Sequence, residues 1–278
     1  MNFDLFTHKD SFPIKAAEIL QHAPLDYVER YSLIHASEGT ATAHQAAGVV
    51  VLLTYKNDEY VFELIKRSRF VAQSGDISCP GGILEASTDE MLSHLLFKTG
   101  MIRTIEGATL NSFPCYDNQT ALLIRLFLMN ALREAWEEIG LSPLNVRFLG
   151  ALPTYALTYF ARTIFPVVCL TSEPFEHRQS DEVEKVLEVP LSLFFNNDAY
   201  AEMEIRSALG EADPRYHVKF PCLIIPDAQG GEDILWGATY HILTRFLQMV
   251  TGVPLPSSPL SRIVTKTLST DYTSGKRG

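Results

Sequence analysis

The stretch REAWEEIG at positions 133–140 decides the interpretation of this chain, because it places three glutamates within five residues. Residues three and four positions apart share one face of a helix, so the carboxylates of Glu134, Glu137 and Glu138 are expected to converge. Like charges in such a cluster repel each other unless a hard divalent cation such as Mg²⁺ lies between them. The alternative is an acidic helix face that is simply solvated, which is common in proteins.

Two features on the N-terminal side of the glutamates favour the metal hypothesis. Arg133 directly precedes them and can hold a carboxylate in place through a bidentate contact. Farther upstream, CPGG at 79–82 supplies Gly81 and Gly82, which let a backbone approach phosphate or metal ligands closely. Taken alone, Pro-Gly-Gly would indicate no more than a turn.

The hydrophobic pattern around the acidic helix alternates between strands and helices. AAGVVVLLTY (46–55) and EYVFELIKRS (59–68) flank a short polar turn, which predicts a β-hairpin. Helical apolar spacing follows Asn118, a candidate N-cap, and Gly140 is a candidate helix stop. Further strands or helices are predicted at 14–22, 25–34, 75–82, 90–102, 146–154, 163–171, 181–195, 216–225 and 236–250. The uneven alternation predicts a mixed α/β (α+β) domain.

Together the two fragments resemble the Nudix box, G-x5-E-x7-R-E-U-x-E-E-x-G-U, in which U is a bulky aliphatic residue. The residues that match are Gly82 at the opening glycine and, in the second half, Arg133, Glu134, Ala135, Glu137, Glu138, Gly140 and Leu141. The resemblance implies a Nudix fold, a mixed β-sheet sandwiched between helices. It also implies that Arg133, Glu134, Glu137 and Glu138 are catalytic and that the three glutamates bind Mg²⁺ or Mn²⁺.

The surroundings are similar to the branch of Nudix hydrolases that cleaves coenzyme A. KRSRFVAQSGDISCPGG (66–82) resembles its R-S…G-x-x-x-F-P-G-G element, with Cys79 in the aromatic slot. FLGALPT, FPVVCL, DEVEKVLEVPL and LWGATYHILTRFL follow in the order of that branch, so the similarity covers roughly 45–250. The resemblance implies that Arg67, Arg69, Gly81 and Gly82 contact the substrate.

Three functions stay open on this resemblance. The first is hydrolysis of the pyrophosphate of coenzyme A to 4′-phosphopantetheine and adenosine 3′,5′-bisphosphate. The second is hydrolysis of a related nucleoside diphosphate, such as ADP-ribose or a dinucleotide. The third is a Nudix-fold module that binds a nucleotide without catalysis. Glu182 is a further candidate for the general base or for a substrate contact, and the alternative for it is an ordinary surface acid.

The spacing departs from the family pattern because Arg133 lies 51 positions after Gly82, whereas the box has 14. A helical insertion at about 90–128 is therefore expected to split the box. Loop closure entropy grows with the logarithm of length, so the extra residues cost only about 1–2 kcal/mol. Its apolar residues are expected to pack on the domain or on a second subunit.

The early acid of the box is also displaced, because Thr88 stands six positions after Gly82 where the pattern has glutamate. The nearby acids that are candidates to pair with Arg133 instead are Glu85, Asp89 and Glu90.

Composition limits the partners and the location. The 278 residues carry a formal net charge of −10, which argues against nucleic acid or membrane surfaces and leaves a small nucleotide as the expected partner. The four cysteines form no C-x-x-C pair, the start shows no signal peptide, and no run of 18 apolar residues occurs. A cytoplasmic protein is predicted, with a lead-in at 1–40, a Nudix domain at 41–252 and a flexible tail at 253–278. Relatives in the superfamily are often dimers, so a homodimer is a further expectation.

Overall fold

The computed structural model describes residues 6, 8–40, 43–104, 115–157, 160–206, 219–227, 230–256, 262–268 and 272. Contacts divide the chain into two compact units, each assembled from two segments. The first unit comprises 1–63 and 79–178, and the second comprises 64–78 and 179–278. In this division the segment 64–78 joins the C-terminal part of the chain. The lead-in at 1–40, the domain at 41–252 and the tail at 253–278 stay predictions.

The helices and strands, numbered along the chain, have the following bounds. The helices are α1 (Ser11–Leu20), α2 (Tyr27–Ala36), α3 (Ala86–Lys98), α4 (Asn118–Ile139) and α5 (Gly237–Thr251). The strands are β1 (Gln45–Lys56), β2 (Glu59–Arg67), β3 (Ile77–Ser78), β4 (Gly81–Ile83), β5 (Arg103–Thr104), β6 (Val146–Ala151), β7 (Tyr155–Leu157), β8 (Arg162–Thr171), β9 (Val183–Pro190), β10 (Tyr200–Arg206), β11 (Phe220–Pro226), β12 (Glu232–Leu235) and β13 (Ile263–Thr267).

The first unit is built on a mixed sheet with β1 at its centre. β1 runs antiparallel to β4 and to the first residues of β2, and parallel to β8. β8 also pairs antiparallel with β6 and β7, and β5 extends β6 in parallel. The turn between β1 and β2 has left-handed φ angles of 50° at Asn57 and 62° at Asp58, as a two-residue hairpin requires. The predicted hairpin is confirmed.

Helices cover this sheet and form the aromatic core of the first unit. Phe127 of α4 stacks on Phe165 of β8 at a centroid distance of 3.8 Å. Tyr27 of α2 meets both rings edge-on, and its hydroxyl donates to the Pro166 carbonyl at 2.7 Å. Leu20 of α1 packs against β6 at Gly150, where a Cβ would lie 2.4 Å from the leucine Cβ. The helices of the expected lead-in therefore belong to the first unit.

The second unit contains a separate four-stranded sheet in the order β12-β11-β10-β13. β13 runs parallel to β10, from the pair Glu202 and Ile263 to the pair Arg206 and Thr267. Leu268 and Tyr272 beyond it are buried. The described residues of 253–278, the segment predicted to be a flexible tail, include this strand, and its pairing with β10 supplies backbone partners. Residues 257–261, 269–271 and 273–278 of that segment lie outside the described part.

The mixed α/β class predicted from the sequence is confirmed, since parallel and antiparallel pairs occur with packed helices. Within the described residues, no helix has the length and apolar character needed to cross a membrane. The cysteines Cys79, Cys115, Cys169 and Cys222 are all free thiols.

Candidate active site

The acidic helix α4 is defined at both ends by its own sequence. Asp117, rather than the predicted Asn118, is the N-cap, and its side chain accepts from the backbone of Gln119 and Thr120. Gly140 ends the helix with a left-handed φ of 76°, which confirms the predicted stop. The apolar face of the helix is buried in the core of the first unit, and Glu134 and Glu138 face β4.

The insertion begins with α3, which packs against α4 and supplies an acid to Arg133. Asp89 is fully buried, and its Oδ1 accepts from Arg133 Nε at 2.8 Å. Its Oδ2 accepts from Arg133 Nη2 at 3.3 Å and from the backbone N–H of Glu85 at 2.9 Å. Of the three candidate acids, Asp89 is therefore the partner of Arg133, whereas Glu85 and Glu90 are exposed. The described part of the insertion packs on the first unit; residues 105–114 lie outside the description.

The two glycines predicted to lie near the acids do so. They form β4, which pairs with β1 through Gly82 opposite Gly48 and Gly81 opposite Val49. The Gly81 N–H donates to Glu138 Oε2 at 2.9 Å. A Cβ on Gly82 would lie 2.4 Å from Glu134 Cδ. The chain thus folds back across the insertion and places both glycines against α4.

The orientation of the three glutamates differs from the prediction that they converge. Glu134 and Glu137 both pair with Arg133, at 3.0 Å and 3.2 Å, and the side chain of Glu137 is 56% exposed. Glu138 is only 5% exposed and faces Gly81. Across the described ranges, no group of three His, Cys, Asp or Glu side chains is gathered so that it could hold a metal ion. Arg133 draws two of the carboxylates toward itself, and the Gly81 N–H holds the third.

The three glutamates nevertheless have the chemistry that a hard divalent cation needs. Three carboxylates on one helix offer the oxygen ligands that Mg²⁺ prefers. Burial raises the pKa of Glu134; Arg133 opposes this shift, while Glu137 and Asp89 add to it by repulsion. A cation among these side chains would relieve that repulsion. The absence of a side chain at Gly82 makes room for the Glu134 carboxylate, because a Cβ there would lie 2.4 Å from its Cδ.

A residue of the candidate site that the sequence analysis did not single out is Asn130, four positions before Glu134. It is fully buried and bonds to the backbone of β1 at Gly48 and of β4 at Ile83. A signal was available, because Asn130 is a lone amide within the apolar run LFLMNAL.

Cys79 lies directly before the glycine strand and is buried. Burial raises the pKa of its thiol to about 12. It is therefore a neutral packing group at ordinary pH, and it lacks the thiolate that a nucleophile needs.

The predicted substrate contacts Arg67 and Arg69 belong to the second unit. Arg67 Nε donates to the Ala72 carbonyl at 2.8 Å, and the Arg69 guanidinium lies 4.9 Å from the ring of Phe70. The neighbouring Lys66 forms ion pairs with two acids at 2.9 Å and 3.2 Å. Glu182 is exposed. The roles of Arg67, Arg69 and Glu182 stay predictions.

Comparisons with known proteins returned solved structures alone. No family model and no curated protein sequence matches the chain. A Nudix hydrolase from M. smegmatis, RenU, shares 13% identity over 77% of this chain and 91% of its own, with a TM-score of 0.40. A MutT/nudix family protein from Enterococcus faecalis shares 15% identity over 84% of this chain and 72% of its own, with a TM-score of 0.38. The NUDIX domain of Shewanella oneidensis NrtR, complexed with ADP ribose, shares 16% identity over 57% of this chain and 82% of its own, with a TM-score of 0.35. Because these identities and TM-scores are low, only the contacts within the site itself support a function.

Proposed function

We propose that this chain hydrolyses the pyrophosphate bond of a nucleoside diphosphate derivative with a bound divalent cation, Mg²⁺ or Mn²⁺. The observation that supports this best is the pairing of α4 with the glycine strand. Gly81 and Gly82 meet Glu138 and Glu134, although 51 positions separate Gly82 from Arg133. A merely solvated acidic face has no reason to bury Glu138 against a strand of glycines.

The reaction needs charge neutralised and a water activated, and a divalent cation supplies both when bound. Glu134, Glu137 and Glu138 would hold it, which requires Glu137 to leave Arg133. The pair of Arg133 and Asp89 then keeps the start of this acidic turn in place. One of the three glutamates, or Glu182, would accept a proton from water as general base.

The narrower proposal is that the substrate is coenzyme A. It rests on the similarity of KRSRFVAQSGDISCPGG (66–82) and of the later segments to the coenzyme A-cleaving branch. Arg67, Arg69, Gly81 and Gly82 are the proposed substrate contacts. A homodimer and a cytoplasmic location stay predictions.

A panel of coenzyme A, ADP-ribose and a dinucleotide, each with Mg²⁺, tests both levels of the proposal. We expect release of 4′-phosphopantetheine and adenosine 3′,5′-bisphosphate from coenzyme A, and loss of this activity in Glu138→Gln. Glu18→Gln, at an exposed position of α1, is the matched control and should keep wild-type activity. Equal rates on coenzyme A and ADP-ribose would contradict the proposal that coenzyme A is the substrate. Nucleotide binding without turnover of any substrate would instead indicate a non-catalytic module.

A further inference from the structure

Asn130 occupies a place in the site that the proposed chemistry does not use. Its side chain is fully buried in α4. Oδ1 accepts from the Gly48 N–H at 2.6 Å, and Nδ2 donates to the Ile83 carbonyl at 3.1 Å. These two contacts also fix the orientation of the amide, because its oxygen must face the N–H group and its nitrogen the carbonyl. One side chain thus holds the backbones of β1 and β4 together.

Asn130 is the first member of a row of polar side chains on α4. Asn130, Glu134 and Glu138 are spaced by four positions and therefore share one face of the helix. The row meets consecutive positions of β4, since Asn130 bonds to Ile83, Glu134 lies against Gly82, and Glu138 accepts from Gly81. The Asn130 amide thus fixes one end of the contact between α4 and β4, and the carboxylates of Glu134 and Glu138 make the other two positions of that contact.

Gly48 shows how closely β1 approaches this amide. A Cβ on Gly48 would lie 2.5 Å from Asn130 Oδ1 and 2.8 Å from the Phe127 carbonyl. Gly48 also stands opposite Gly82 in the pairing of β1 with β4. A displacement of Asn130 would therefore move the strand pair that carries the glycines of the site.

We infer that Asn130 is a positioning residue that sets β4 against α4, so that Glu134 and Glu138 are aimed at the proposed metal. The expected effect of this role on metal affinity rests on the proposed function. The chemistry of the position requires an amide, because one side chain must accept from Gly48 and donate to Ile83 at the same time. A carboxylate can only accept, and alanine can do neither.

Asn145 is a matched control in the same unit. Its Oδ1 accepts from the backbone of Glu173 at 3.0 Å, and its Nδ2 donates to the carbonyl of Glu173 at 2.8 Å. It therefore makes the same double contact with backbone, but these two hydrogen bonds involve neither α4 nor β4. Asn130→Ala and Asn145→Ala both remove such a contact, and only the first touches the proposed site.

The test uses the full chain and two readouts that do not need turnover. The first is the dissociation constant of Mn²⁺, measured by electron paramagnetic resonance well below the unfolding temperature. The second is hydrogen exchange of the Gly81 amide, which donates to Glu138. In Asn130→Ala we expect Mn²⁺ affinity to fall by about 10- to 100-fold, the usual effect of losing a group that orients a metal ligand. Protection of the Gly81 amide should fall as well, and Asn145→Ala should change neither quantity.

Asn130→Asp keeps the acceptor and loses the donor, so it serves as the second variant if the alanine protein does not fold. It should also weaken Mn²⁺ binding and expose the Gly81 amide. Wild-type values of both quantities in either Asn130 variant would overturn the inference, and so would equal changes in Asn145→Ala. If the wild-type protein binds no Mn²⁺, the proposed function fails, while the Gly81 amide still decides whether Asn130 positions β4.

Discussion

Arg133 connects α3 to the acidic turn of α4. Its guanidinium binds Asp89 of α3 and also pairs with Glu134 and Glu137. Because Asp89 is buried and contacts the guanidinium at two nitrogens, it restrains Arg133 more firmly than an exposed acid would. Asp89 lies seven positions after Gly82 in the first turn of α3, one position beyond the place where the resemblance to the box led us to expect glutamate.

Asp89→Asn is expected to lower the rate of pyrophosphate hydrolysis by about 10- to 100-fold, as losses of orienting groups around metal ligands do. Without the carboxylate, Arg133 would bind Glu134 and Glu137 more tightly and compete with the metal. Glu85→Gln and Glu90→Gln are the controls, since both acids are exposed, and their rates should stay near wild type. Loss of activity in Glu90→Gln but not in Asp89→Asn would contradict this assignment. The measurement is kcat/KM on the substrate that the panel identifies.

The two glycines of β4 should respond differently to alanine. Gly81 has a φ of 146°, and its Cβ would lie 2.3 Å from the Gly48 carbonyl oxygen, so Gly81→Ala must displace backbone. We expect this variant to lose about 2–4 kcal/mol of unfolding free energy in denaturant titrations. The three atoms nearest to the Cβ of Gly82→Ala would all belong to the end of the Glu134 side chain, which can turn away. That variant should fold normally and lose about 100-fold in activity, because misplacing a catalytic group by an ångström has this effect.

Gly231→Ala is the control for both glycine variants, since the nearest atom to its Cβ would be 3.8 Å away. It should match wild type in stability and in rate. An active Gly82→Ala protein would show that Glu134 does not act from the position seen in the structure.

At the scale of elements, the sequence predicted those whose signal lies in their own residues. The apolar runs predicted β1 and β2, and the helical spacing of apolar residues with a glycine at the end predicted α4. It predicted β3 and β4 as one short strand at 75–82. It missed β13, because a strand that lies in a segment rich in serine, threonine and proline exists only through its partner strand. Counting along the chain likewise placed Thr88 at the acid position, whereas the turn of α3 directs Asp89 toward Arg133.

The segment after β8 closes the C-terminal end of α4. The Arg178 N–H donates to the Ile139 carbonyl at 2.9 Å, and its guanidinium lies 5.1 Å from the Trp136 ring. The adjacent His177 bonds through Nε2 to the fully buried Glu63 at 2.8 Å. Glu63 thus anchors the segment that holds the end of the acidic helix.

Glu63→Gln should destabilise the protein by about 1–3 kcal/mol near neutral pH, the range for a buried charged hydrogen-bonded group. Burial alone would raise the pKa of Glu63, but hydrogen bonds with His177 and Thr54 and the charge of Lys56 lower it overall from 4.5. A lowered folded-state pKa stabilises the protein above the unfolded value, and this contribution is lost as pH falls below about 4.5. The difference between Glu63→Gln and wild type should therefore shrink in acid. Denaturant titrations from pH 7 to pH 3 measure it, and a difference that grows in acid would contradict this sign.

At the scale of the whole molecule, the net charge of −10 opposes binding of a further anion. A polyphosphate substrate therefore benefits from a cation bound at the site. Any ligand that binds the folded state alone raises its stability by mass action, which gives a test of the proposed metal that is independent of catalysis.

We expect Mg²⁺ or Mn²⁺ at about 100 times its dissociation constant to raise the unfolding temperature by about 5–10 °C. Glu134→Gln should abolish that increase, because it removes a proposed metal ligand. The same variant should unfold at a higher temperature than wild type in the absence of metal. Burial raises the pKa of Glu134, against the pull of Arg133, so its charged form is disfavoured in the folded state at neutral pH, and a neutral amide removes this penalty. Differential scanning fluorimetry with and without a chelator measures both effects. A Glu134→Gln protein that is less stable without metal, or that still responds to it, would show that Glu134 serves the fold rather than the metal.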